Sequence, residues 1–171
     1  MSHRYAQGWN VRLRQPIDEI DEAAARRRFA DGPQLAVIRL TGEHAVPDYT
    51  LTVAAGCEHV RVQRYDAHGS VVETFDYSSV PGEERLFLDN YKSYVYSDGA
   101  TGPQRFSQST AHKAWVFRTD GTATCRAVVK GIAEARVSSH HQLEVSGHWR
   151  ERPEFGDWDS FGEAPEPSTP Q

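Results

Sequence analysis

AWVFRTDGTATCRAVV, residues 114–129, is the clearest indication of fold class in this chain. Two runs rich in β-branched, aromatic and small apolar residues flank the pair Asp120-Gly121. Asp-Gly is a preferred pair for the centre of a type I′ turn, because both central residues need a positive φ angle. The stretch therefore predicts a β-hairpin with a two-residue turn, in which Trp115 lies opposite Arg126.

This predicted register divides the side chains of the hairpin between two faces. Trp115, Phe117, Thr124 and Arg126 share one face, and the other carries Cys125 with several alanines. If the alanine and cysteine face packs against the core, then Trp115, Phe117 and Arg126 form an exposed recognition patch, because Trp and Arg are enriched at binding hot spots. The alternative is cross-strand packing of these side chains without any partner.

Further strand-like segments precede and follow the hairpin. They are rich in β-branched and aromatic residues, are bounded by turn residues, and bring the total to about eight strands. No helical pattern separates consecutive strands, which argues against parallel βαβ units. The sequence thus predicts an antiparallel β-barrel or sandwich. The additional segments are residues 35–40, 49–54, 60–65, 70–77, 86–96, 133–137 and 142–149.

One helix is predicted ahead of these strands, over residues 16–30. Pro16 suits the first helical position, acidic residues fill the first turns, and the three arginines at 26–28 fill the last turn, so both ends complement the helix dipole. Gly32 and Pro33 then end the helix. The expected fold class is mainly β with one N-terminal helix (α+β), and the helix should have more than three turns.

The C-terminal part of the chain is predicted to divide into an anchored segment and a tail. Trp149, Phe155, Trp158 and Phe161 alternate with acidic residues. Because rings of this size are too apolar for a free tail, they either fold back over the sheet or bind another chain. Residues 162–171 are acidic and rich in proline, and we expect them to be disordered after a single domain of residues 1–161.

Charge and composition narrow the classes of partner. The chain has 171 residues and a formal net charge of −5, which disfavours nucleic acids and anionic membranes as partners. No apolar run approaches the ~20 residues of a membrane helix, and residues 1–14 lack the apolar stretch of a secretory signal. We therefore expect a cytoplasmic protein, and its preference for Arg over Lys is typical of a GC-rich bacterial genome.

The sequence offers little for metal or cofactor chemistry. Cys57 and Cys125 form no CxxC pair, and we expect both thiols to be reduced. His140, Glu144 and His148 would share one face of an extended strand, but four residues of strand span ~13 Å, which is too far for one zinc site. Motifs for phosphate binding, dinucleotide binding or a nucleophile elbow are absent from the sequence. We predict no metal and no cofactor, and no catalytic residue can be named.

Two classes of function stay open from the sequence. The first is a non-enzymatic module that binds a partner protein, as immunity and adaptor proteins do. The second is a small-molecule β-barrel for an apolar or aromatic ligand, acting as a carrier or as a cofactor-free cyclase, isomerase or lyase. A packed interior favours the first class, and a cavity with convergent polar groups favours the second. The candidate binding residues are Trp115, Phe117, Arg126, Tyr94, Tyr96, Trp149 and Trp158.

Overall fold

The computed structural model describes residues 2–40, 46–163 and 167. They form an antiparallel sheet of eleven strands with few helices, so the predicted fold class is confirmed. The helices are α1 (Glu22–Asp31) and the short α2 (Asp159–Gly162). The strands are β1 (Ser2–Asn10), β2 (Gln15–Ile20), β3 (Gln34–Leu40), β4 (Tyr49–Ala54), β5 (His59–Tyr65), β6 (Val71–Ser79), β7 (Leu86–Val95), β8 (Ala111–Phe117), β9 (Ala123–Val129), β10 (Arg136–His140) and β11 (Trp149–Arg150).

Most strands follow one another through the sheet as a meander. From β3 to β10 each strand pairs with the next, while β1 pairs with the free side of β3 and β2 with the free side of β1. The two-residue strand β11 pairs with the start of β7. This path does not close on itself, so β2 and β10 are the two edges of the sheet.

The strand predictions differ from the structure near both ends of the chain. Strands β1 and β2 were not predicted, and they account for most of the excess over about eight strands. Residues 142–149 are not an extended strand, because Gln142 has a φ angle of 58° and pairing resumes only at Trp149. Apart from Gly162, Glu163 and Pro167, the predicted tail of residues 162–171 lies outside the residues that the structure describes.

Helix α1 begins later than the sequence predicts. Residues 15–20 form β2 instead of the first helical turns, and Pro16 pairs with Trp9 of β1. The side chain of Asp21 accepts a hydrogen bond of 2.7 Å from the Ala24 amide and so caps the helix. The predicted helix of more than three turns is therefore corrected to ten residues, which is fewer than three turns.

The β8–β9 hairpin has a three-residue turn, not the predicted two-residue turn. The Arg118 amide donates to the carbonyl of Thr122, and the Gly121 amide donates to the carbonyl of Arg118. Gly121 has a φ angle of 78°. This is a type I turn followed by a left-handed residue, the usual three-residue hairpin connection.

The longer turn shifts the predicted register by one residue. Trp115 lies opposite Cys125, and Arg126 lies opposite Ala114, so the predicted pair of Trp115 and Arg126 is wrong. Because strand side chains alternate between faces, Trp115, Phe117 and Cys125 now share a face, and Arg126 lies on the other. The first three are buried, whereas Arg126 is exposed.

The hydrophobic core lies on one face of the sheet, which we call the inner face; the opposite side is the outer face. The main core cluster draws on β3 to β9, with Tyr5 of β1 packed against it. One row of consecutive cross-strand partners runs through this cluster: Tyr5, Val37, Leu51, Val62, Phe75, Tyr91, Trp115 and Cys125.

The aromatic segment that follows β11 crosses the inner face and completes the core. Trp158 is fully buried, and its Nε1 donates to the Tyr5 hydroxyl at 3.4 Å. Phe155 stacks on Tyr5 with 5.3 Å between ring centroids, and Phe161 packs edge-on against Tyr77 at 5.2 Å. The segment therefore folds back onto its own sheet. No helix in the described part of the chain is long and apolar enough to cross a membrane.

Candidate functional site

Surface cavities follow the loops at one end of the sheet. One cavity, of about 610 Å³, lies between the β1–β2 turn and the connection from β7 to β8. We call it the groove. Its lining side chains are Val11, Arg12, Val71, Pro103, Gln104, Arg105, Phe106 and Gln108.

The first wall of the groove is the β1–β2 hairpin, which extends past β3 over the outer face. Trp9 packs there against a small buried cluster that includes Ala36 and Ile38. At the tip, Arg14 donates from Nη2 to the carbonyl of His68 at 2.8 Å, which holds the hairpin against the β5–β6 turn. Residues 11–14 are thereby brought beside a loop that is distant in sequence.

The second wall is a short 3-10 turn, Phe106–Gln108, in the β7–β8 connection. The Arg105 amide donates to the Gln108 side chain at 2.7 Å, and the preceding Gln104 amide donates to the Ser70 hydroxyl at 3.0 Å. The Phe106 ring packs against Tyr94 with 4.7 Å between centroids, yet 47% of Phe106 stays exposed. The ring is thus held in place and still presents about half its surface.

The groove combines apolar and basic groups. Its charged lining side chains are Arg12 and Arg105, both exposed, in a chain whose net charge is −5. Val71 is buried below them, and Phe106 forms an apolar wall. An apolar surface flanked by guanidinium groups suits a ligand that carries both apolar side chains and carboxylates.

Two smaller cavities extend the groove. One of about 350 Å³ shares Gln104 with the groove and includes Tyr94 and Tyr96. The other, of about 250 Å³, shares Phe106 and reaches Lys130 just beyond the end of β9. The concave surface therefore continues along the loop end towards the β9–β10 side of the sheet.

A second polar cluster lies on the inner face, at the same end of the sheet. Arg39 donates from Nη1 to Asp159 Oδ1 at 2.5 Å, the Tyr49 hydroxyl donates to the same oxygen, and His3 Nε2 lies 3.2 Å from it. Burial raises the pKa of Tyr49, and its bond to Asp159 raises it further. A Cβ on Gly162 would lie 2.1 Å from a Tyr49 ring atom. These contacts attach α2 to the sheet and point to a structural role.

The neighbouring pair of Arg64 and Glu73 on the inner face also has its hydrogen-bond partners within the protein. Arg64 donates to Glu73 Oε2 at 3.3 Å and stacks over the Phe75 ring at 4.8 Å. The Tyr91 hydroxyl donates to Glu73 Oε1 at 2.7 Å, and Arg64 also donates to the Gly162 carbonyl at 3.3 Å. This second network likewise joins the sheet to α2.

His148 is a buried imidazole inside the core. It is 2% exposed, and among the described residues neither ring nitrogen makes a hydrogen bond of good geometry; the backbone of Leu88 is the nearby polar group that acts on the ring. Its ring packs edge-on against Phe117 at 4.5 Å and beside Phe87 at 5.8 Å. Because burial lowers the pKa of His148, the imidazole packs as a neutral ring.

The structure separates the residues of the predicted hairpin patch. Trp115 and Phe117 are buried on the inner face as parallel rings 5.8 Å apart, and Trp115 also packs near His140 at 5.1 Å. Arg126 is on the outer face. The predicted exposed patch is therefore not formed, because the three-residue turn moves Arg126 to the opposite face.

The other predicted binding residues divide into two groups. Tyr94 and Tyr96 lie beside the groove; the Tyr96 hydroxyl donates to the Val71 carbonyl at 2.9 Å, and burial raises its pKa to about 12. Trp158 is in the core, and Trp149 packs between Phe87 at 4.9 Å and the Arg85 guanidinium at 4.9 Å. The tryptophans thus lie away from the groove.

Sequence reasoning did not single out Arg12, Arg105 or Phe106 as binding residues. All three lie in loops without periodicity, so only their loop position could have drawn attention to them. Among the described residues, no group of three or more His, Cys, Asp or Glu side chains could hold a metal ion. Cys57 and Cys125 are free, and burial raises the pKa of both thiols. No protein-family model, curated protein or solved structure matches this chain.

Proposed function

We propose that this protein is a non-enzymatic binding module that takes an acidic, apolar segment of a partner protein into the groove. The observation that carries the proposal is the composition of the groove lining. Arg12 and Arg105 supply positive charge, while Phe106 and Val71 supply apolar surface. Arg and aromatic side chains are the residue types enriched at protein interfaces.

Exposure of apolar side chains supports the same proposal. Phe106 is 47% exposed, and Leu13, in the turn that forms the opposite wall, is 59% exposed. A single exposed apolar residue needs no explanation. Here two of them belong to the two loops that border a cavity of about 610 Å³ with basic side chains. A partner segment that covers both would remove this apolar surface from water.

The small-molecule alternative receives less support from the geometry. A ligand-binding barrel would hold its ligand on the inner face, and in the described structure that face is filled by Trp158, Phe161 and Tyr77. The groove lies at the surface, and Arg12, Arg105 and Phe106 are exposed around it. Such a site buries less of a small ligand than an enclosed pocket does, and it better suits an extended segment.

Peptide selection tests the proposal without a known partner. A random peptide library displayed on phage is selected against the full chain, and we expect the enriched peptides to combine Asp or Glu with aromatic or aliphatic residues. The Arg12→Glu/Arg105→Glu double variant should bind these peptides about tenfold or more weakly, equivalent to ~1.4 kcal/mol. Fluorescence polarisation measures the affinities.

Arg27→Glu/Arg118→Glu is the matched control, because both are exposed arginines outside the groove lining, on α1 and in the β8–β9 turn. It changes the net charge by the same amount and should leave peptide affinity nearly unchanged. Enrichment of peptides without acidic residues would contradict the proposal. Equal loss of affinity in the control and the groove variants would also contradict it, because net charge alone would then explain the loss.

A further inference from the structure

The two edges of the sheet differ in how well they are protected against an additional strand. At the β2 edge, Pro16 lacks an amide hydrogen and Asp18 has a φ angle of 49°, which interrupts regular strand geometry. Glu19 adds a charge that is paired with Arg4 at 2.5 Å. Proline, irregular backbone and charge are the features by which natural sheets prevent edge pairing.

The β10 edge has none of these features apart from one cation. Its sequence is Arg-Val-Ser-Ser-His, without proline, acidic side chain or left-handed residue. It pairs with β9 on one side, and no strand in the described ranges pairs with its other side. Val137 is 62% exposed. This strand therefore offers main-chain hydrogen-bonding groups and an apolar side chain to a further strand.

The side chains of β10 specify which strand would fit. Ser138 pairs with the inner-facing Cys125, so Arg136, Ser138 and His140 face inward, while Val137 and Ser139 face outward. Lys113 and Arg136 belong to the same row of cross-strand partners, with Ala127 of β9 between them. An added strand would thus place one set of side chains beside basic groups and the alternate set beside Val137.

A second copy of this chain is a poorer match than an acidic segment. Antiparallel pairing of two β10 strands about Ser138 would place Arg136 opposite His140 and would bring no carboxylate to Arg136. A segment with Glu or Asp at alternate positions supplies that complement and presents its other side chains to Val137. Opposite charges across strands stabilise pairing, and like charges oppose it.

We propose that β10 binds an extended acidic segment by strand addition, with carboxylates on the inner face and β-branched apolar side chains on the outer face. This inference rests on the proposed function, because it assigns a second contact to the same partner. Val128 of β9, the neighbour of β10, lines the cavity that shares Phe106 with the groove. A segment that leaves the groove along this cavity is therefore directed towards β9, the strand next to the β10 edge.

A peptide of alternating Glu and Val, with capped ends and a fluorescent label, is the probe. It should bind the full chain, and a peptide of alternating Lys and Val should bind about tenfold or more weakly. Val137→Pro and Ser138→Pro are a matched pair, because consecutive amides in a strand point to opposite sides. One proline removes an amide that points to the open edge, and the other removes an amide that points to β9.

The proline that removes the amide pointing to the open edge should abolish peptide binding and leave the melting temperature nearly unchanged. The proline that removes the amide pointing to β9 should lower the melting temperature. Hydrogen exchange of the amide that points to the open edge should slow when the peptide is added. If both proline variants remain folded and bind the peptide as the unmodified chain does, or if the Lys peptide binds equally well, the inference is wrong.

The groove variants separate this inference from the proposed function. Arg12→Glu/Arg105→Glu should weaken the library-selected peptides and spare the Glu-Val peptide, which contacts only β10. If the selected peptides need the arginines and the Glu-Val peptide does not bind, the groove proposal stands and strand addition is overturned. The reverse pattern would support strand addition and remove the groove as the site of partner recognition.

Discussion

Asp159 joins the C-terminal segment to the sheet through a single carboxylate oxygen. That oxygen accepts hydrogen bonds from Arg39 and Tyr49, residues of adjacent strands. Burial raises the pKa of Asp159, but the hydrogen bonds from Tyr49 and Arg39 outweigh burial, so its pKa lies below the ordinary value of 3.8. Asp159 therefore stabilises the fold at pH values above its ordinary pKa, and this stabilisation is lost as the pH falls through the lowered pKa of the folded protein.

Asp159→Asn should lower the free energy of unfolding at neutral pH by about 1 kcal/mol, because a charged hydrogen bond is lost from a partly exposed group. The difference between the variant and the unmodified chain should shrink as the pH falls below the ordinary carboxyl pKa. Urea denaturation at several pH values measures it. Asp157→Asn, a nearby exposed carboxylate, is the control. A difference that stays constant across this pH range would contradict the prediction.

At the scale of elements, the start of α1 shows how a local pattern can be compatible with two structures. Pro16 and the acidic residues after it fit a helical first turn, but they also fit an edge strand, in which proline costs no ladder bond on its free side. The choice is made by pairing between β1 and β2, where Gly8 lies opposite Ile17. Because β1 lies outside residues 16–30, the pattern within those residues does not predict this pairing.

Asp21→Ala should destabilise the protein by about 1 kcal/mol, since the side chain caps the first turn of α1. Asp21→Asn should retain most of the stability, because an asparagine side chain can accept the same hydrogen bond. Thermal denaturation of the three proteins checks this. If the helix began at Pro16, residue 21 would be interior and alanine would stabilise it. A rise in melting temperature for Asp21→Ala would therefore refute a helix that begins at Glu22.

The β8–β9 hairpin illustrates the same limit for a turn. Asp120-Gly121 predicted that a hairpin exists, and it does, but Asp-Gly also suits the last two positions of a three-residue turn. The Gly121 carbonyl accepts a hydrogen bond of 2.9 Å from Leu143, and a Cβ on Gly121 would lie 2.8 Å from the Leu143 carbonyl. This contact with a residue distant in sequence occurs in the register that buries Trp115 and Phe117.

At the scale of the whole molecule, the C-terminal aromatic segment is part of the core. Trp158 is fully buried, so Trp158→Ala should cost about 3–5 kcal/mol and lower the melting temperature by many degrees. Phe106→Ala removes an exposed ring from the groove and should cost less than about 1 kcal/mol. Calorimetry of both variants measures the contrast. A small effect of Trp158→Ala would mean that the segment is not integral to the fold.

Sequence patterns alone predict the fold class, the presence of one N-terminal helix and the concentration of large aromatics in residues 149–161. These follow from residue type and local periodicity, which burial imposes directly on the chain. The same patterns do not predict the hairpin register, the extra strands β1 and β2, or the groove, which depend on tertiary contacts. Arg12 and Phe106 meet because the β1–β2 hairpin lies over the outer face, and that placement depends on β1 pairing with β3 across an intervening helix. Contacts between distant segments arise from packing of the whole sheet, so no local pattern encodes them.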